Sequence, residues 1–452
     1  MELDPICPLE FRYGREEVRR LFSRQTRLAR VLEVEAALAK AEAEVGLIPA
    51  GAAQGIAQAA ASGTVRLDRV DALEVELKHD VMAITRALAE RSGPGGAWVH
   101  FGATSNDITD TVLALELRDA VGFLRADLTE LGRSLAKLAR AHRATAEAGR
   151  THGQIAVPLS FGYKMAVAGA EVLRHRRRLD ELLPRLAVGK MAGAVGTGAG
   201  FGPHAERIEQ LVMAGLGLGA DEAPTQIVGR DRIAELTNLL ALIAGTAERL
   251  ATEVRNLQRP EIGEVAEQFD EAHQVGSSTM AQKRNPMVSE NVTSLARVVR
   301  SLSLAPLENM AMWHERDLTN SAAERIVLPH AIVLCDDLLQ KLGQVFEGLR
   351  VDPARMERNL SEWGGAAMSE SLMLALTQRG LARSDAHELL RSLTRGIGPA
   401  DPLLARARAS PEVTKWIPPG ELEAVLDPAA YVRAAAEKTD RVLRRIEPEL
   451  AR

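Results

Sequence analysis

A chain of 452 residues is too long for one small core and predicts two or three domains. With 46% hydrophobic and 26% charged residues, it reads as an ordinary soluble globular protein. A net charge of -5 and a pI near 6.1 argue against general nucleic-acid binding, and leave open a locally basic pocket for an anion.

Cys7 and Cys335 make neither a disulfide framework nor a metal-ligand spacing. The start, MELDPICPLEFRYG, carries acids and prolines where a signal peptide needs an apolar core. Apolar runs such as LLALIAG from Leu239 fall far short of the ~20 residues that span a bilayer. The default expectation is a cytoplasmic protein without a membrane partner. Aromatics are only 3%, and Ala and Leu are abundant, which favours closely packed helices over a β-sandwich.

The elements follow from periodicity. Val18, Leu21, Phe22, Leu28, Val31, Leu32, Val34, Leu38 and Ala41 approximate a helical stripe over residues 16–44. A second helix is predicted over 70–91, with His79 inside it, ended by the Gly/Pro turn at 92–98. Residues 109–148 lack proline and predict a helix of roughly 60 Å. Helical patterns follow over 163–186, 231–257, 287–305 and 322–349, and Pro353 marks a boundary. Long helices separated by short polar breaks are the pattern of a helix bundle. Helices this long suggest that bundles from several subunits pack together.

Three breaks concentrate polar residues: Gly102 to Asp107, Arg150 to Gln154, and VGSSTMAQKRNPMVSEN from Val275. In the third, Gly276 lets the backbone bend, Asn285 suits an N-cap and Pro286 a first helical residue. The helix start and the cations Lys283 and Arg284 would favour an anion. A capped helix with solvated cations fits those residues as well. His152 has the chemistry of a general acid or base, and read alone it also fits a structural histidine. Arg316, Ser321 and Arg325 fall in a polar run that can clamp a phosphate by forked donors, or simply form ion pairs. Arg12 and Tyr13, read alone, carry no signal.

Taken together, the breaks resemble the fumarase/aspartase superfamily and, within it, the adenylosuccinate lyase branch. Gly276, Ser277, Ser278, Met280, Lys283, Asn285 and Pro286 match the superfamily signature Gly-Ser-Ser-x-Met-x-x-Lys-x-Asn-Pro. Thr104 to Asp107 resembles its first signature and Thr151 to Gln154 its second. Lys78 to Asp80, Gln226 with Arg230-Asp231, and Glu315 to Arg325 resemble the branch. The resemblance implies an all-α, three-domain fold whose long-helix bundle forms a tetrameric core. The division would be 1–108, 109–352 and 353–452. It implies a homotetramer with active sites shared between subunits.

The implied reaction is a β-elimination releasing fumarate, with no metal or organic cofactor. By resemblance, Ser278 is the general base and His152 the general acid, with His79 as its partner. Lys283 supplies positive charge, and Asn285 orients the same group. Thr104, Ser105 and Gln226 bind the succinyl end, and Gln154 lies near the purine. Arg12, Tyr13, Arg316, Ser321 and Arg325 grip the nucleotide phosphate. The chain departs from the branch at Ala281-Gln282, where Pro-His is usual, at Ile155, and at Pro158-Leu159-Ser160. Two alternatives follow: a sister enzyme acting on another succinyl or carboxymuconate substrate, and a non-catalytic helical scaffold.

Overall fold

The computed structural model describes residues 5–451 apart from 271, 277 and 281. The helices that matter here are α1 (Arg24–Glu44), α2 (Leu67–Leu77), α3 (Asp80–Ala89), α4 (Ser105–Ala141), α5 (Phe161–Leu186), α6 (Asp231–Leu257), α7 (Met287–Ser301), α8 (Ser321–Glu347), α9 (Pro353–Ser361) and, after shorter C-terminal helices, α10 (Ala429–Leu450). The strands that matter here are β1 (Ala146–Thr151) and β2 (Gln154–Ser160), which pair as an antiparallel hairpin. A two-residue pairing joins β3 (Val265–Ala266) to β4 (Arg350–Val351). No helix among the described residues is long and apolar enough to cross a membrane.

The expected helices are there, with different bounds in places; the one expected over 287–305 ends at Ser301. The 16–44 stripe breaks at Phe22–Ser23, where the Ser23 hydroxyl caps α1 by accepting from Thr26 N at 3.2 Å. The 70–91 helix is two helices. Lys78 adopts φ 55°, a left-handed geometry that ends α2. His79 is therefore not inside a helix: its Nδ1 accepts from Met82 N at 3.4 Å, which caps α3. The long helix over 109–148 starts earlier, at Ser105, and stops at Ala141. Helix-favouring residues 146–148 lie instead in β1, where Glu147 and Ala148 are buried. Tertiary packing overrides propensity there.

In α4 the buried residues Ile108, Val112, Leu115, Leu124, Leu128, Leu131 and Leu135 recur mostly at steps of three and four. Burying each such side chain contributes about 1.5–3 kcal/mol.

Contacts sort the chain into two units. Unit 1 comprises Met1–Asp127, His175–Gly245 and Ser294–Leu339. Unit 2 comprises Leu128–Arg174, Thr246–Thr293 and Gln340–Arg452. One core of unit 1 packs Val34, Leu38, Ile108, Leu115, Phe201 and Val212. A core of unit 2 gathers Leu372, Leu376, Leu390, Leu403 and Ile417 from the short C-terminal helices.

Candidate active site

Unit 1 holds the first break. Thr104 precedes α4, and Asp107 in the first turn reaches back to accept from Thr104 N at 2.8 Å. That is half of a capping box. The other bonds of Asp107 organise the Gly-rich run: its carboxylate accepts from Ala192 N at 2.9 Å and Gly193 N at 3.1 Å, and it pairs with the Lys190 ammonium. Asp107 and Lys190 are both fully buried. Thr104 and Ser105 are thus pinned from below and half-buried themselves.

A turn further along α4, Asp110 takes a forked pair from Arg230, at 2.8 and 3.0 Å. Arg230 Nε also donates to Glu324 at 2.9 Å. Burial opposes the charge on Arg230, but Asp110 and Glu324 outweigh it and hold the guanidinium above its usual value. This buried fork ties α4, the 226–230 segment and the start of α8 together. Gln226 and Arg316 meet directly: Arg316 Nη1 donates to Gln226 Oε1 at 2.9 Å, and Gln226 Nε2 donates to Ala194 O at 2.9 Å. Arg325 donates to Asp80 at 2.8 Å, beside His79, whose Nδ1 lies 3.7 Å from the same carboxylate. Ser321 opens α8. Arg12 and Tyr13 lie in a turn whose backbone N–H groups donate to Pro8 O at 2.8 and 3.2 Å.

Unit 2 holds the other two breaks. His152 and Gly153 form the two-residue tip of the hairpin between paired Thr151 and Gln154. Both have positive φ, 54° and 73°, the demand of the turn that best fits hairpin twist. His152 and Gln154 are exposed there. Among the described non-glycine residues, only Lys78, His100, His152 and His314 have positive φ, and all but His100 lie at or beside a candidate site residue. Such geometry persists where surrounding structure enforces it.

Ser278 and Lys283 are exposed on the loop before α7; Ser277 and Ala281 lie outside the described residues. The loop closes on itself at its neck. Asn285 Nδ2 donates to Gly276 O at 2.8 Å. A Cβ on Gly276 would come within 1.8 Å of the Lys283 carbonyl oxygen, so only glycine fits.

The start of α7 corrects one expectation. Asn285 does not cap the helix with its side chain. Glu267 does, accepting from Val288 N at 3.2 Å and Ser289 N at 2.7 Å. The helix start meant for an external anion already holds a protein carboxylate.

Below the hairpin tip lies a buried charge network. Lys164 bridges Glu147 and Glu253, each at 2.6 Å. Burial pushes the Glu147 carboxyl up to about 7, against the pull of Lys164. Arg150 forks onto Glu264 at 2.9 and 2.6 Å. Sequence reasoning missed Asp107 as an organiser, and it missed Lys190, Asp110, Glu264 and Glu267. Lys190 in a glycine-rich run was the one available signal; lone acids on polar segments carry none.

Comparisons with known proteins place the chain in a family. A family model described as "Lyase" matches residues 10–301, and one described as "Adenylosuccinate lyase C-terminus" matches residues 365–442. The adenylosuccinate lyase of Pyrococcus abyssi is 45% identical, over 98% of this chain and 98% of its own. That of Methanothermobacter thermautotrophicus is 44% identical, over 97% of this chain and 98% of its own. Among solved structures, a fumarate lyase from Mesorhizobium sp. BNC1 aligns with a TM-score of 0.88 at 32% identity, covering 95% of this chain and 98% of that one. The 3-carboxy-cis,cis-muconate lactonizing enzyme from Pseudomonas putida aligns with a TM-score of 0.88 at 32% identity, covering 99% of this chain and all of that one, 100%. With two family models and full-length relatives in agreement, the chain belongs to the lyase family and, within it, to the adenylosuccinate lyases.

Proposed function

We propose that this chain cleaves adenylosuccinate to AMP and fumarate, and SAICAR, its imidazole-carboxamide counterpart, to AICAR and fumarate. The observation that carries this reading is the full-length similarity to adenylosuccinate lyases, which exceeds the 32% identity to the muconate enzyme.

In this reading Ser278 Oγ, as an alkoxide, removes the proton from the carbon beside a succinyl carboxylate. A serine needs a desolvated, electropositive site for that. Lys283 supplies the charge and steadies the aci-carboxylate, and Asn285 orients the same group. The electron pair then forms the fumarate double bond, and the C–N bond breaks. The departing nitrogen takes its electron pair and a proton from His152, with His79 as that residue's partner. Thr104, Ser105 and Gln226 hold the succinyl carboxylates. Arg12, Tyr13, Arg316, Ser321 and Arg325 grip the phosphate, and Gln154 lies toward the purine. The elimination balances without a cofactor.

A cytoplasmic homotetramer with active sites shared between copies, and the division at 108 and 352, belong to the same reading. Support for assembly comes from large apolar side chains exposed on long helices: Leu242 on α6, Val298 on α7 and Ile326 on α8, the last 60% exposed. The chemistry needs a dry site, and Ser278, Lys283 and His152 are exposed in the single chain.

The test is to supply purified protein with adenylosuccinate, SAICAR and 3-carboxy-cis,cis-muconate in parallel. Fumarate with AMP, and fumarate with AICAR, are expected. Lactone formation from the muconate with no purine product would overturn the reading.

A further inference from the structure

We propose that Glu264 and Glu267, at the two ends of one four-residue segment, are positioning residues. Glu264 acts on His152 and Glu267 on the Ser278 loop. The inference rests on the reading above for the roles of His152 and Ser278.

Glu264 is fully buried and Glu267 nearly so, at 0% and 8% exposure. Between them lies β3, clamped by β4 and by Asp352 N donating to Glu264 O at 2.9 Å. The segment is therefore a fixed support. On one side the Glu264 carboxylate takes both Arg150 donors and, at 2.7 Å, Asn359 Nδ2. Arg150 stands two residues before His152 on β1, opposite Ile155. The register shifts between Ala148 and Arg150: residues 156 and 157 of β2 lie opposite Gly149 alone, so β2 bulges beside Arg150. A forked pair fixes direction as well as distance, which a single bond does not. The hairpin tip is thus held at its base although its own residues are exposed.

On the other side Glu267 takes the first free N–H groups of α7, and its own N–H donates to Gln258 Oε1 at 2.9 Å. Gln258 Nε2 in turn donates to Arg284 O at 3.3 Å, next to Lys283. The start of α7 is tied to this carboxylate, and the end of the loop is tied to the same residue's backbone N–H through Gln258. Removing either carboxylate's charge should loosen one arm and leave the other in place.

The experiment separates C–H from C–N cleavage. Deuterium uptake from D2O at the substrate methylene reports proton removal by Ser278. AMP release reports the complete reaction. Glu264→Gln is expected to lower kcat for AMP release by about 100-fold, with KM within about twofold and exchange retained. Glu267→Gln is expected to lower exchange and AMP release together, by about tenfold or more. Arg150→Lys keeps the charge and loses the fork, and is expected to lower AMP release several-fold while sparing exchange. It decides the Glu264 arm if Glu264→Gln does not fold. Parent-like kcat in folded Glu264→Gln or Arg150→Lys, or equal loss of exchange and release in either, would overturn that arm. Parent-like exchange in Glu267→Gln would overturn the other. His152→Ala is the control: full AMP release there defeats the acid assignment itself, whatever Glu264 does.

Discussion

The succinyl-end candidates of unit 1 and the proton-moving candidates of unit 2 are held in opposite ways. In unit 1, Thr104, Ser105 and Gln226 lie beside buried ion pairs, Asp107 with Lys190 and Asp110 with Arg230, while Arg12, His79 and Arg325 are exposed. In unit 2 the groups read as base and acid sit on exposed turns, and the buried charges lie a few residues away, in Arg150–Glu264 and Glu267. Groups that grip a substrate gain from being preorganised. Groups that move protons must meet the reacting carbon and nitrogen, so a loop on a rigid support suits them.

Ser278→Ala should break the chemistry of unit 2 most completely. AMP release is expected to fall about 1000-fold with melting unchanged, as steady-state assay and calorimetry will show. Asp107→Asn attacks the support in unit 1. It leaves the buried Lys190 without its counter-ion, and unfolding by denaturant is expected to show a loss of about 3–5 kcal/mol. The double variant Asp107→Asn with Lys190→Met should recover part of that loss, since the uncompensated charge is then gone. Gly276→Ala tests the loop neck by itself. The Cβ collides with the Lys283 carbonyl, so kcat is expected to fall about tenfold while melting barely moves.

The smallest effect concerns a buried acid remote from the chemistry. Burial, then the nearby Glu35, pushes the Glu42 carboxyl up to about 8, and neither of its oxygens has a hydrogen-bond partner among the described residues. The folded chain therefore holds a proton that the unfolded chain releases near pH 4. This contribution to stability is complete below the unfolded pKa of about 4.3 and is lost as pH rises through about 8. Melting of Glu42→Gln should fall less between pH 5 and pH 9 than melting of the parent. Parallel curves would remove Glu42 from the account.

Much of this was legible in the sequence. The 231–257 helix begins and ends where periodicity predicts, because its apolar stripe runs unbroken from a first acid to a last leucine. The pairing of Gln226 with Arg316, and the closeness of His79, Asp80 and Arg325, join residues that the resemblance had already singled out. The hairpin was not legible. Residues 146–148 are ordinary helix formers, and pairing with β2 and the burial of Glu147 and Ala148 hold them as a strand. The cap of α7 was not legible either: Asn285 stands where a local N-cap is favoured, and the actual cap depends on the fold that brings the Glu267 carboxylate over the helix. Pattern reports what a segment can do alone, and a carboxylate arriving from twenty residues away is outside it.

The reading takes the binding group and the proton-moving group of one site from different copies of the chain. The most direct test is to mix two inactive variants, Arg325→Ala in unit 1 and His152→Ala in unit 2, under conditions that exchange subunits. If copies share sites, activity should return toward about a quarter of the parent value, because random mixing leaves that share of sites free of both lesions. No recovery, with mixed oligomers demonstrated by mass, would contradict the account.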